Sequence, residues 1–335
     1  MSETPESDLL DCRLVIVTGK GGCGKTTIAA ALALGAAEKG KRVALVEMGR
    51  DEHLHGVLAP GSAPVGYEGR EIYPSLHVLH VDPFAALAEY LSLQIGMEAL
   101  VKKGLDQPAF QQLLAAAPGW RELITLGKIG HLENLGRDRG RLEYDLVVVD
   151  APASGHGLTF LDVPRVVQSA IKSGPLRRRA RDVETLIQDK TRTRLLPVSL
   201  AEELPVRETT ELIDRVRAEI GTPIDRVVIN RTVERPFPER LKNLEASLAA
   251  LPGDHALGSL PAPSVLAKCC ASEQARFELN HHYVEELARS VSLPLVSVRD
   301  VPGGVSDADD LRRIARDLLE GPSSNTRASD LEGGR

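Results

Sequence analysis

The chain has 335 residues, 42% hydrophobic and 26% charged, which is enough to bury a large core and lies slightly beyond what one core usually organises. A formal net charge of −6 excludes a general nucleic-acid binder, whose balance is basic. No apolar run reaches the ~18 residues of a membrane span, and the acidic start "MSETPESDLLD" lacks the basic and apolar regions of a secretory signal, so a cytoplasmic location is expected.

In chain order, "RLVIVT" (13–18) predicts a buried strand, and "TTIAAALALGAAEKG" a helix of small residues that stops at Gly40. "RVALVE", "LHVLHVD", "YDLVVVD", "TRLLPVSL" and "RVVIN" are further β-branched runs with polar ends. "ALGSLP" (256–261) and "LPLVSV" (293–298) are expected to complete the sheet. Helix-length segments separate most of them, such as "PVRETTELIDRVRAEIG", with Gly221 as its stop. This alternation predicts an α/β fold, a mostly parallel sheet flanked by helices in a single domain over 12–320. Two helical insertions, at about 84–135 and 168–190, are expected to form a lobe above the carboxyl ends of the strands, where open α/β sheets bind ligands. The Gly/Ser-rich, charged tail 321–335 is expected to be disordered.

Gly19, Gly24, Lys25 and Thr26 satisfy G-x-x-x-x-G-K-[ST] between a strand and a helix, the signature of a P-loop NTPase. Gly19, Gly21, Gly22 and Gly24, with Cys23 among them, are expected to let backbone N–H groups turn inward around phosphates, and the helix that follows adds its positive end. The pattern assigns Lys25 to the β- and γ-phosphates and the Thr26 hydroxyl to Mg²⁺, with Thr27 at the α-phosphate. Lys20 is a second lysine in a loop that one ammonium already serves. It is either an exposed loop charge or a group with another role.

The run "KGGCGKTT" resembles the deviant Walker A motif of the ParA/MinD/ArsA group of P-loop ATPases. The resemblance implies ATP and Mg²⁺ as cofactors. It also implies a homodimer, or a heterodimer with a paralogue, in which Lys20 reaches the partner's nucleotide and acts catalytically in trans. In "YDLVVVDAPASGHGLTFL", Asp150 ends a buried strand at the position of a metal-holding Walker B-type aspartate, and Gly155 and His156 form a turn able to sense a γ-phosphate. This stretch is similar to the switch II of the arsenite-pump ATPase and of the ATPases that deliver tail-anchored membrane proteins; ParA and MinD lack its G-H ending. Looser similarity, over about Leu14 to Leu319, points to the pair Glu208 and Thr209, to Asn230 as an adenine contact and to Pro302 as an adenine neighbour. The client implied is a membrane or membrane-associated protein, ahead of a metalloid. A nucleotide-gated scaffold without hydrolysis and a ParA/MinD-like positioning protein are the alternatives.

The departures from that pattern matter as much. Gly49 in "LVEMGRDEHLHG" falls where the family carries the switch I aspartate that positions the attacking water, with Glu47 and Asp51 two residues to either side as candidates to replace it. No C-x-x-C follows Asn230. A soft metalloid site wants about three thiolates together, and the vicinal Cys269 and Cys270 are expected instead to be buried small hydrophobes. His53, His55, His281 and His282 show no structural-metal spacing. Two stretches have no place in the phosphate machinery. "LRRRAR" (176–181) reads as a solvated helix face or a site for an acidic partner or lipid headgroup. "FAALAEYLSLQIGMEALV" (84–101) has helical apolar spacing, that of a core or a groove.

Overall fold

Strand β1 (Leu14–Gly19) is buried along its whole length because its side chains feed two different cores. Val15 and Val17 join one apolar cluster and Leu14 and Ile16 the other. β5 (Leu146–Ala153) does the same, with Leu146 and Val148 on one side and Val147 and Val149 on the other. Strands covered on both faces need no polar alternation, which explains their uninterrupted apolar runs. The remaining strands are β2 (Val43–Met48), β3 (Arg70–Tyr73), β4 (Leu76–Val81), β6 (Thr193–Leu200), β7 (Val227–Thr232) and β8 (Leu295–Arg299). They form one sheet in the order β3-β4-β2-β5-β1-β6-β7-β8. Every pairing is parallel except β3 with β4. This computed structural model describes residues 9–48, 53–95, 105, 107–108, 112, 119–135, 140, 142–237, 243–251 and 261–320. Gly49, Asp51, the 321–335 tail and all but Pro261 of the expected strand 256–261 lie outside the described residues.

One face of the sheet is covered by α1 (Lys25–Glu38), the short α2 (Leu54–Leu58) and α10 (Ala308–Leu319). α1 is buried from Ile28 to Ala37, since it is sandwiched between the sheet and α10, and small apolar residues all round suit that place. The opposite face carries α3 (Pro83–Ile95), α4 (Trp120–Asn134), α5 (Ser154–Ala170) and α6 (Pro175–Gln188). α4 and α6, which come from the two expected insertions, lie against the sheet itself: Leu123, Ile129 and Leu186 pack with Val147, Val149 and Leu195. α7 (Glu203–Arg215) runs on into a π-helical turn, Val216–Ile220, and stops at Gly221 with φ 81°. It meets α9 (Pro263–Val291) through Val206, Ile213, Val284 and Leu287. α8 (Leu244–Ala249) packs beside α9.

The second layer is pinned by a charge. Glu133 near the end of α4 has a fully buried side chain that accepts from Arg13 Nε at 2.6 Å and from the Arg192 guanidinium. Arg13 and Arg192 directly precede β1 and β6, so one carboxylate ties α4 to the amino ends of two adjacent central strands. Two guanidiniums hold the Glu133 carboxyl below the usual carboxylate range against the cost of its burial.

Candidate nucleotide site

The loop between β1 and α1 is packed too closely for side chains at two of its glycines. Gly19 has φ 148°, and a Cβ there would lie 2.2 Å from the Val198 carbonyl oxygen of β6. Gly24 caps α1 in the left-handed region with φ 89°, and its Cβ would lie 2.3 Å from Asn230 Nδ2. Both positions require glycine. Gly21 and Gly22 differ from them, although the sequence reading assigns one reason to all four. They are the exposed central pair of a turn in which the Cys23 N–H donates to the Lys20 carbonyl at 3.4 Å. Gly22 has no atom within 4 Å of a Cβ, and only its φ of 85° calls for glycine. Gly21 lies outside the left-handed region, and its Cβ would meet Ala153 at an ordinary 3.9 Å, so the fold itself tolerates a side chain there. Any need for glycine at Gly21 comes from what the loop binds, since a Cβ on this exposed turn would stand beside the ligand.

The Lys20 carbonyl oxygen gathers the loop: besides the Cys23 N–H it accepts from Cys23 Sγ at 2.9 Å and from Lys25 Nζ at 3.1 Å. Burial pushes the Cys23 thiol up, so it serves as a neutral donor. From β7, Asn230 Nδ2 donates to the Cys23 carbonyl at 2.9 Å, bracing the loop from a distant part of the chain.

A metal ion is implied by this loop, and the residues fit one. Thr26 Oγ1 donates to Asp150 Oδ2 at 2.6 Å, so the two expected metal-holding groups face each other. The other oxygen, Asp150 Oδ1, is buried without a hydrogen-bond partner among the described residues. An unpaired buried carboxylate oxygen is costly unless something cationic completes it. Burial raises the Asp150 carboxyl to about 6 and the Glu47 charge adds to this, while the Thr26 hydrogen bond, Lys25 and His53 oppose it. Glu47 stands beside Asp150 in the β2–β5 register. It is 2% exposed, and its carboxylate accepts from the backbone N–H groups of His53, at 2.6 Å, and Leu54, at 3.2 Å. Its oxygens therefore cap the start of α2, a role the sequence reading missed; an acidic residue before a short amphipathic run was the available signal.

β5 runs three residues past Asp150, to Ala153, and passes directly into α5. Gly155 and His156 thus sit in the first turn of a helix rather than in a loop. On the other side of α1, Thr27, Asn230, Arg231, Gly303 and Gly304 line a cavity of about 390 Å³. Pro302 lines a neighbouring cavity with Arg299 and Thr232. The structure therefore brings Lys20, Gly21, Gly22, Lys25, Thr26, Thr27, Asp150 and Asn230 to one end of the sheet. Lys20 Nζ is 3.3 Å from Glu208 of α7, an ion pair that the sequence offered only as an unexplained Glu-Thr pair. The expected burial of Cys269 and Cys270 does not hold: they lie on α9, of which only five residues are buried, with Cys269 exposed and Cys270 half-buried, whereas Cys12 and Cys23 are buried elsewhere. His281 and His282 pair with Glu285 and Glu286 along the same helix.

A mostly parallel α/β sheet whose first strand runs through a glycine loop into a helix, with a carboxylate from the adjacent strand β5 facing the loop's threonine, defines a P-loop nucleotide-binding protein. Residues 12–176 match the sequence profile of the anion-transporting ATPases. The ATPase BagA of Mycobacterium tuberculosis is 37% identical over 237 residues, 68% of this chain and 67% of that protein. The ATPase GET3 of Malassezia globosa is 24% identical over 264 residues, 68% of this chain and 75% of that protein. The arsenical pump-driving ATPase of Acidiphilium multivorum is 27% identical over 270 residues, 71% of this chain and 45% of that protein. The chain belongs to the ArsA family of P-loop ATPases.

Proposed function

We propose that this chain is a Mg²⁺-dependent ATPase that works as an ATP-sandwich dimer, opening and closing on a protein client. The observation that carries the reading is the Thr26–Asp150 pair with one carboxylate oxygen left open, set against a loop in which Gly19 and Gly24 are sterically required. Bound MgATP supplies the scissile phosphoanhydride and the cation that completes this pair. The loop amides and Lys25 hold the β- and γ-phosphates, Lys25 exchanging the Lys20 carbonyl for them. Thr27 meets the α-phosphate, and Asn230 and the 301–305 loop receive the nucleoside, with Pro302 at its outer edge. Glu47, occupied by backbone amides, fixes the residues that follow switch I, which leaves Asp51 to orient the water and Gly155 to sense the γ-phosphate.

Single-turnover hydrolysis of ATP by the purified chain tests the enzyme against a nucleotide-gated scaffold. The enzyme reading expects Mg²⁺-dependent ADP formation, slow because Gly49 stands at the water-positioning aspartate. ATP-dependent dimerisation with no ADP formed would instead favour the scaffold.

Protein targeting ranks ahead of metalloid transport because no three cysteines form a common ligand group among the described residues. Arsenite and antimonite are accordingly expected to leave turnover unchanged, and the double variant Cys269→Ser, Cys270→Ser should keep its rate within about twofold, below ~0.5 kcal/mol. Strong metalloid stimulation that disappears in the double variant would put efflux first.

A further inference from the structure

The two sequence stretches without a place in the phosphate machinery contribute to one cavity, the first through residues 86–93 and the second through Arg179. It holds about 190 Å³ of free space between α3, α4 and α6. Ala86 and Ile124 give it an apolar wall, Leu93, 67% exposed, forms an apolar rim at its mouth, and the Tyr90 ring forms another side. Its polar groups are Glu89, Lys128, His131 and Arg179.

Their charges do not balance. Glu89 is already satisfied: it accepts from Lys128 Nζ at 2.6 Å and from the Tyr67 hydroxyl. Lys128, with its side chain 13% exposed, is spent on that pair and lies over the Tyr67 ring. Arg179 is different. Within the basic run, Arg177 turns back to the carbonyls of Gln168 and Ile171, and Arg178 and Arg181 face solvent. Arg179 alone of these enters the cavity, stacked 5.6 Å from the Tyr90 ring centroid, with one N–H on the Gly127 carbonyl at 2.6 Å. No carboxylate meets it among the described residues, and its other donors remain. Gly127 makes room for it, because a Cβ there would lie 2.9 Å from Arg179 Nε. Burial, with the nearby charges of Lys128 and Arg179 adding to it and those of Glu89 and Glu143 opposing it, pushes His131 below the usual imidazole range, so it adds no second free cation at neutral pH.

A half-buried guanidinium with an apolar wall beside it selects an anion that carries an apolar body. We propose that this cavity binds a small amphipathic monocarboxylate, its carboxylate on Arg179 and its chain along Ala86, Leu93 and Ile124. A cavity of about 150 Å³ holds benzene, so this one takes a chain of roughly six to eight carbons. A bound ligand would join α3, α4 and α6, the helices outside the phosphate site, so the proposal does not rest on the nucleotide reading.

Calorimetry on the full chain with butanoate, hexanoate and octanoate, and with the matching alcohols, tests it. Affinity should rise about fourfold per methylene, the equivalent of ~0.8 kcal/mol, until the space is filled. Each alcohol should bind at least tenfold more weakly than its acid. Arg179→Gln should remove that preference, and Arg179→Lys should keep part of it. The chain-length series on the unaltered protein needs no variant to fold. Equal binding of acids and alcohols, no acid binding at millimolar concentration, or a preference that survives Arg179→Gln would each overturn the proposal.

Discussion

Lys20→Ala is expected to bind ATP nearly as well as the unaltered chain and to lose on the order of 10³ in turnover. Binding survives because Lys25, Thr26 and the loop amides stay in place. Lys20 contributes to them through its backbone carbonyl, which the substitution keeps. The side chain points away, to Glu208 at 3.3 Å. Both partners are about a quarter to a third exposed, and an ion pair of that kind is worth ~0–1 kcal/mol, too little to retain Lys20 against a transferring phosphoryl group. Mixing Lys20→Ala with Lys25→Ala, which should not hold nucleotide, tests action across a dimer. The Lys20→Ala subunit then holds ATP while its partner supplies an intact Lys20, so each mixed dimer should regain up to about half of the original activity, or about a quarter for an equal mixture that exchanges at random. The subunits must be shown to exchange, by size measurement on the mixture. Near-normal turnover of Lys20→Ala alone, with no gain on mixing, would leave Lys20 as a loop charge.

Glu133→Ala should destabilise the fold by about 3 kcal/mol, at the low end of what breaking a buried ion pair costs. The low end applies because Arg13 and Arg192 are 19% and 24% exposed and can turn to water, whereas the carboxylate is fully enclosed. The pH dependence has a definite sign. A carboxyl held below its ordinary 4.5 in the native state contributes stability that is complete above that value and is lost as pH falls through the native one. Urea unfolding midpoints should therefore separate the two proteins at neutral pH and converge in acid. A constant difference down to strongly acidic pH would mean that Glu133 acts through packing rather than charge.

The phosphate loop and the central strands were legible because their constraints are local. A glycine that must accept φ 148° and a run buried on both faces each write themselves into adjacent residues. Gly40, at φ 87°, and Gly221 likewise stop their helices where the pattern placed them. What escaped is held by distant partners. β3 is four residues long, at the sheet edge, and exists because it pairs antiparallel with β4. α9 runs 29 residues with only five of them buried, so its apolar period was too thin to stand out. The brace from Asn230 to the Cys23 carbonyl spans 207 positions, and no window along the chain reports it.

The join between β5 and α5 contains no connecting residues: the strand ends at Ala153 and the helix starts at Ser154. The helix is about 25 Å long at ~1.5 Å per residue, and Pro164 inside it removes one backbone hydrogen bond and favours a bend there. Its far end is gripped, since Arg177 of α6 donates to the carbonyls of Gln168 and Ile171 at 2.6 and 2.7 Å. α5 thus connects the strand that carries Asp150 to the helix that carries Arg179. Any tilt at the phosphate end would have to pass that proline before it reached α6.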